Sequence, residues 1–273
     1  FFYTPTPPSA ILSGLVGSEM CIRDRYSGLN VNPVSLLHSN KISSEKINNV
    51  PAQVFEPYVT AKVNEGIKDF LILPLFFGRS AAIYEYLPQR VTEIEKTCGK
   101  FNVKIAPPLV DLEDETNNDV AKILADLVRL EISNHSLDFP SVTLVDHGTP
   151  RIKVNEVRNF VAKQLRRILQ DEVHCLEPSS MESRDGDEYS FNKPLLEDIL
   201  GTSGFDQNVI LSMLFISPGR HAGKGGDIDQ ICIQAETKNS NLNTIMTGLI
   251  SEHEGAIQIL NKRLEQGFES EFI

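Results

Sequence analysis

With 273 residues, a formal net charge of −11, 41% hydrophobic and 23% charged residues, the chain has the composition of an ordinary globular protein. That length buries a sizeable core either as one large α/β domain or as two smaller ones. The acidic balance argues against a nucleic-acid surface or an anionic membrane face, both of which need clustered Lys and Arg, and no apolar run approaches the roughly 20 residues that span a bilayer.

Cys21, Cys98, Cys175 and Cys232 are far apart and form no CxxC pair, which disfavours a disulfide framework or a thiolate zinc site and fits a reducing, cytoplasmic compartment, an organelle stroma being the alternative. Residues 1–25 lack both helix and strand periodicity, and the order of charge and apolar residues there is wrong for a secretory signal. The stretch Leu15–Arg25 resembles translated adaptor sequence, so residues 1–25 are expected to be a non-native or disordered leader.

From about residue 29 strands and helices alternate. Expected strands are Val31–Leu37, Phe70–Phe77, Val103–Ala106, Val142–Asp146, Glu172–Leu176, Val209–Ile216 and Leu242–Leu249, several apolar on both faces as buried parallel strands are. Asn118–Glu131 and Val154–Leu169 carry apolar residues at helical spacing. This order implies βαβ units and a parallel sheet.

Two apolar runs stop at a histidine: Val142–Asp146 before His147-Gly148, and Leu214-Phe215-Ile216-Ser217-Pro218-Gly219-Arg220 before His221. Open α/β sheets bind ligands at the carboxyl edge of their strands, so the pair reads as a metal or proton-transfer site. Imidazole ligates cobalt, iron, nickel and zinc, and is a base near neutral pH. Glu182, beyond the strand ending near Leu176, is placed to add a carboxylate to the same edge, or is a solvated loop acid. Arg151, Lys153, Arg184, Arg220 and Lys224 fall on loops expected beside the histidines, as a locally basic rim or as separate surface charges. Gly219-Arg220-His221-Ala222-Gly223-Lys224-Gly225 is not a phosphate loop, because only three residues precede its Gly-Lys and no Ser or Thr follows.

Gly78-Arg79-Ser80 follows Leu75-Phe76-Phe77 much as Gly219-Arg220-His221 follows Leu214-Phe215-Ile216, which suggests a duplicated chain with a boundary near Asn134–Pro140. His147 precedes His221 by 74 positions (221 − 147), and the same step back from Ser80 reaches residue 6. The first strand and helix of the first half are therefore expected to be missing.

Val145-Asp146-His147-Gly148-Thr149 and Pro218-Gly219-Arg220-His221 with Gly226-Asp227-Ile228 resemble the motifs of the CbiX-like sirohydrochlorin cobaltochelatases, class II chelatases. Leu73-Pro74-Leu75-Phe76-Phe77-Gly78 resembles the same element with Ser80 in place of histidine, and the likeness covers about residues 29–265. The resemblance implies two flavodoxin-like α/β parallel-sheet halves related by a pseudo-twofold duplication: an incomplete first half over 26–138 and a second half over 139–273 that carries the metal site.

A tetrapyrrole would lie in a cleft between the halves. His147 and His221 would be the metal-binding and catalytic residues, and Arg151, Arg184, Arg220, Lys224 and Glu182 would bind the substrate. The activity implied is insertion of a divalent metal, Co2+ first, with Fe2+ or Ni2+ as alternatives, into a sirohydrochlorin-type tetrapyrrole in cobalamin or sirohaem biosynthesis. The metal is substrate, no cofactor is permanently bound, and the enzyme is expected to be a monomer that acts as an internal pseudo-dimer. Two other readings remain: a tetrapyrrole or metal carrier without turnover, and an unrelated α/β enzyme with His147 as its acid–base residue.

Overall fold

The computed structural model describes residues 29–36 and 53–273. The expected leader at 1–25 and the position at residue 6 lie outside them. The described chain forms two compact units, one made of the residues up to Asp111 together with Ile257–Ile273, the other of Leu112–Ala256.

The second unit contains β3 (Ser141–Asp146), β4 (Leu176–Ser180), β5 (Asn208–Met213) and β6 (Asn243–Met246), all parallel in the order β4-β3-β5-β6. This is the start of a flavodoxin-like order, and the chain reverses direction across the sheet between β3 and β5. The first five residues of β3 are buried, because a central parallel strand is covered on both faces. Helices α3 (Asp119–His135) and α4 (Ile152–Leu169) pack together and onto the strands. Their buried stripes are Val120, Ile123, Leu124, Leu127 and Val128, and Val157, Val161 and Leu165. Another core joins Val145, Val209, Leu211 and Met213 to Leu196 of α5 (Leu196–Ile199) and to Ile228 and Cys232 of α7 (Asp227–Lys238). Between β5 and α7 stands the one-turn α6 (Gly219–Ala222).

The first unit holds α1 (Phe55–Asn64), β1 (Asp69–Ile72), α2 (Leu87–Cys98, entered through a π-helical turn at Ala82–Tyr86), the parallel strand β2 (Asn102–Ile105), and the body of α8 (Gly255–Glu269). Phe55, Val59, Leu87, Val91, Ile94, Phe101 and Val103 form its core. Gly267 of α8 comes so near that an added Cβ would lie 2.8 Å from the Ala106 Cβ and 2.9 Å from Leu71 Cδ1.

The duplication is visible in the geometry. In the first unit Ser35 bridges Val54 in parallel just before α1; in the second, Ser180 bridges Leu195 in parallel just before α5. Asp69 faces Asn102 across β1 and β2, with Asn102 Nδ2 donating to Asp69 Oδ1 at 2.7 Å. Asn208 faces Asn243 across β5 and β6, with the equivalent bond at 3.0 Å.

Several elements differ from expectation for local reasons. Residues 31–36 contribute only the bridge at Ser35, not a strand. Phe70–Phe77 is cut short at Ile72, just before Pro74, which has no N–H to donate to a ladder. Glu172–Leu176 is instead the turn that closes α4: Glu172 N–H donates to Leu169 O, and its carboxylate is held by Arg129. The strand begins only at Leu176 and carries Pro178, tolerated because β4 is an edge strand. The runs toward Ile216 and Leu249 end at Met213 and Met246, where the backbone turns. The units also divide differently from the expected boundary: α3 belongs to the second unit and the body of α8 to the first, since an amphipathic stripe records that a helix packs but not on which sheet.

Cys232 is buried, and burial pushes its thiol up to about 11. Because the thiolate is the reactive form, Cys232 is expected to stay unmodified by iodoacetamide at pH 8 in the folded protein and to react only after denaturation, read by mass spectrometry of peptides. Among the described residues no helix is long and apolar enough to cross a membrane.

Candidate metal centre

The carboxyl ends of β3 and β5 flank the point where the strand order reverses, and the two sequence-predicted histidines stand there. His147 directly follows β3, and His221 sits on α6 beyond β5. Their rings meet edge to face, with centroids 4.6 Å apart and an interplanar angle of 84°. Glu182, just past β4, brings Oε1 to 3.7 Å from His147 Nε2. Three residues from three neighbouring strand ends thus gather at one edge. Among the described residues, no group of three or more His, Cys, Asp and Glu side chains is close enough to form a ready-made metal cage.

Local backbone explains how each side chain is presented. Gly148 has φ +88°, and a Cβ there would collide with the Glu182 carbonyl oxygen; only glycine lets the His147 turn press against the Glu182 segment. Gly226 is pinned in the same way: a Cβ would lie 2.6 to 2.7 Å from the carbonyl oxygens of Arg220, His221 and Gly223. This folds the loop back so that Asp227 Oδ2 reaches 2.6 Å from His221 Nδ1. His147 Nδ1 lies 3.1 Å from the Gly148 carbonyl oxygen. In both rings Nδ1 thus faces an oxygen acceptor.

Beneath the histidines is a buried polar network. Asp146 Oδ1 accepts from Ser180 Oγ at 2.6 Å and from Gly148 N–H at 3.1 Å, with Arg158 Nη1 at 4.0 Å. Arg158, 2% exposed, also donates to Ser180 Oγ and to the carbonyls of Asn192 at 2.8 Å and Phe191 at 3.2 Å. Asn192 in turn clamps Thr149, accepting its N–H at 3.1 Å and donating to its carbonyl at 2.8 Å. Burial pushes the Asp146 carboxyl up, against the pull of the Ser180 hydroxyl, the Arg158 guanidinium and the Gly148 N–H. The network grips the chain on both sides of His147.

Of the five basic residues expected on loops, Lys153 lies instead in the first turn of α4 and Arg220 in the one-turn α6. Arg151 follows β3 and caps α4, Arg184 follows β4, and Arg220 and Lys224 follow β5; all four are exposed. Arg220 Nε stands 3.7 Å from Asp227 Oδ2. Sequence reasoning assigned no role to Asp227, Asp146, Ser180, Arg158 or Asn192. Asp146 and Asp227 do lie inside the motifs that carry the resemblance, Asp227 at a helix start six residues after His221; nothing local marks Arg158 as buried.

No family model matches the sequence, and no curated protein sequence matches it. Solved structures do. SirB from Bacillus subtilis with Fe3+ superposes with a TM-score of 0.65 at 12% identity, covering 94% of this chain and 89% of that one. The sirohydrochlorin chelatase SirB from Bacillus subtilis subspecies spizizenii in complex with cobalt gives 0.62 at 13% identity, with 98% and 92% covered. CbiX, described as the terminal enzyme for biosynthesis of siroheme in denitrifying bacteria, gives 0.60 at 11% identity, with 97% and 95% covered. The chain has the fold of the CbiX-like class II chelatases.

Proposed function

We propose that this protein is a metal chelatase that inserts a divalent metal, with Co2+ preferred, into a sirohydrochlorin-type tetrapyrrole, acting as a cytoplasmic monomer in cobalamin or sirohaem biosynthesis. The observation that carries the reading is the His147/His221 pair, 4.6 Å between ring centroids, at the strand-order reversal of a chelatase fold, with Glu182 beside it. Insertion exchanges M2+ for two pyrrole N–H protons. The chain must therefore hold a metal weakly, pass it to the macrocycle and accept protons. Two imidazoles with one carboxylate nearby meet these demands, because neutral imidazole binds borderline metals and also takes a proton. The exposed Arg151, Arg184, Arg220 and Lys224 offer donors to the substrate's carboxylates.

Ferrochelation is the second reading, since one structural neighbour was solved with Fe3+ and another in complex with cobalt. The test is anaerobic incubation of the full chain with sirohydrochlorin and Co2+, Fe2+ or Ni2+, followed by absorbance. Insertion faster than the protein-free rate, fastest with Co2+, is the expected result; fastest insertion of Fe2+ selects ferrochelation. Tetrapyrrole binding without acceleration by any metal points to a carrier, and absence of both overturns the proposal.

A further inference from the structure

We propose that Asp227 is a positioning residue that sets the tautomer and orientation of His221, so that Nε2 is the nitrogen offered to the metal. His221 sits on a single helical turn between Pro218 and Gly223, which by itself holds a side chain loosely. Asp227 has firmer footing. It is the first residue of the 12-residue α7, and the next residue, Ile228, is fully buried. Its Oδ2 is 2.6 Å from His221 Nδ1, within the range of a charge-assisted hydrogen bond. A carboxylate only accepts, so the proton of a neutral His221 must stand on Nδ1 and the lone pair on Nε2.

His147 follows the same rule through a different acceptor, its Nδ1 lying 3.1 Å from the Gly148 carbonyl oxygen. Both rings are thereby set to use Nε2. Packing of the two rings would be served equally well by either tautomer; metal capture would not.

The first unit supplies an internal comparison. Gly78-Arg79-Ser80 aligns with Gly219-Arg220-His221, and buried Leu87 with buried Ile228. In that register Ser80 replaces His221 and Tyr86 replaces Asp227, so histidine and carboxylate are lost together.

The inference rests on the chelatase reading for its metal, but the tautomer can be measured without one. In the full chain labelled with 15N-histidine, metal-free His221 is expected to show a protonated Nδ1 and an unprotonated Nε2. Asp227→Asn is expected to mix the tautomers and to weaken Co2+ binding, followed by visible absorbance, roughly 10- to 100-fold, the usual cost of losing a carboxylate behind a ligating histidine. Asp229→Asn is the comparator. It neutralises the carboxylate that accepts the Gly225 N–H, a 2.7 Å bond in the same loop, and leaves His221 untouched; its expected loss is under about threefold, smaller than that range. Unchanged tautomer and Co2+ affinity in Asp227→Asn overturns the proposal, and so does an equal loss in Asp229→Asn, which would make the negative charge of the loop the cause. If wild type binds no Co2+ through its imidazoles, the chelatase reading fails, while the tautomer shift still decides the role of Asp227.

Discussion

The double variant His147→Ala/His221→Ala is expected to lose Co2+ insertion by roughly 100-fold or more, the scale of a positioned acid–base group, and to lose Co2+ binding as well. Each single variant is expected to show most of that loss, because under the proposed function two histidines at a 4.6 Å ring separation would act on one ion as a unit, and effects within a unit do not add. The fold should survive. Both side chains lie on turns beyond the strand ends and are part-exposed, 38% for His147 and 18% for His221, so little buried apolar surface is lost. Circular dichroism and the thermal midpoint should stay close to wild type while the insertion assay falls to the protein-free rate. Insertion at the wild-type rate in the double variant would remove the histidines from the chemistry and with them the proposed function.

Arg158→Met is expected to be the most destabilising single change in the second unit. The side chain is 2% exposed and supplies donors to Ser180, Asn192 and Phe191 while standing 4.0 Å from Asp146, itself 15% exposed. Methionine fills much of the volume but leaves a buried carboxylate without its cation and two carbonyls without a donor. Breaking a buried pair from one side costs about 3–5 kcal/mol, to be read from the denaturant midpoint. Asp146→Asn added to Arg158→Met should recover part of the loss, because it removes the stranded charge and keeps an acceptor for Ser180. Co2+ affinity should also fall in Arg158→Met, since the same network grips Asp146 and Thr149 on either side of His147. A loss below about 1 kcal/mol, the level of an exposed ion pair, would show that the network is not what holds this turn.

Much of the site was legible from local pattern. An apolar run that halts at His147-Gly148, and another that halts at a Pro-Gly turn before His221, mark strand ends wherever the strands lie, because side-chain burial along a parallel strand is written in consecutive residues. The same holds for the stripes of α3 and α4, and for the echo of Gly219-Arg220-His221 in Gly78-Arg79-Ser80, which the matched bridges at Ser35 and Ser180 support. The strand Leu176–Ser180 was missed because its Pro and serines look like a loop. Ser179 and Ser180 are buried only because Thr143 and Asp146, far off in sequence, satisfy their hydroxyls.

By itself, then, the sequence determined an α/β chain of strand–helix repeats with two histidines at strand ends, since each of these depends on neighbours within a turn or a strand. Tertiary structure alone decided that β3 and β5 lie side by side, bringing the two rings into contact, and that α3 and the body of α8 join units other than those the sequence order suggested. It also decided that Asp227 folds back onto His221 and that Arg158 is buried beneath His147. Those features depend on pairing and close approach between segments tens of residues apart, where a glycine at 148 or 226 permits a contact but does not name its partner.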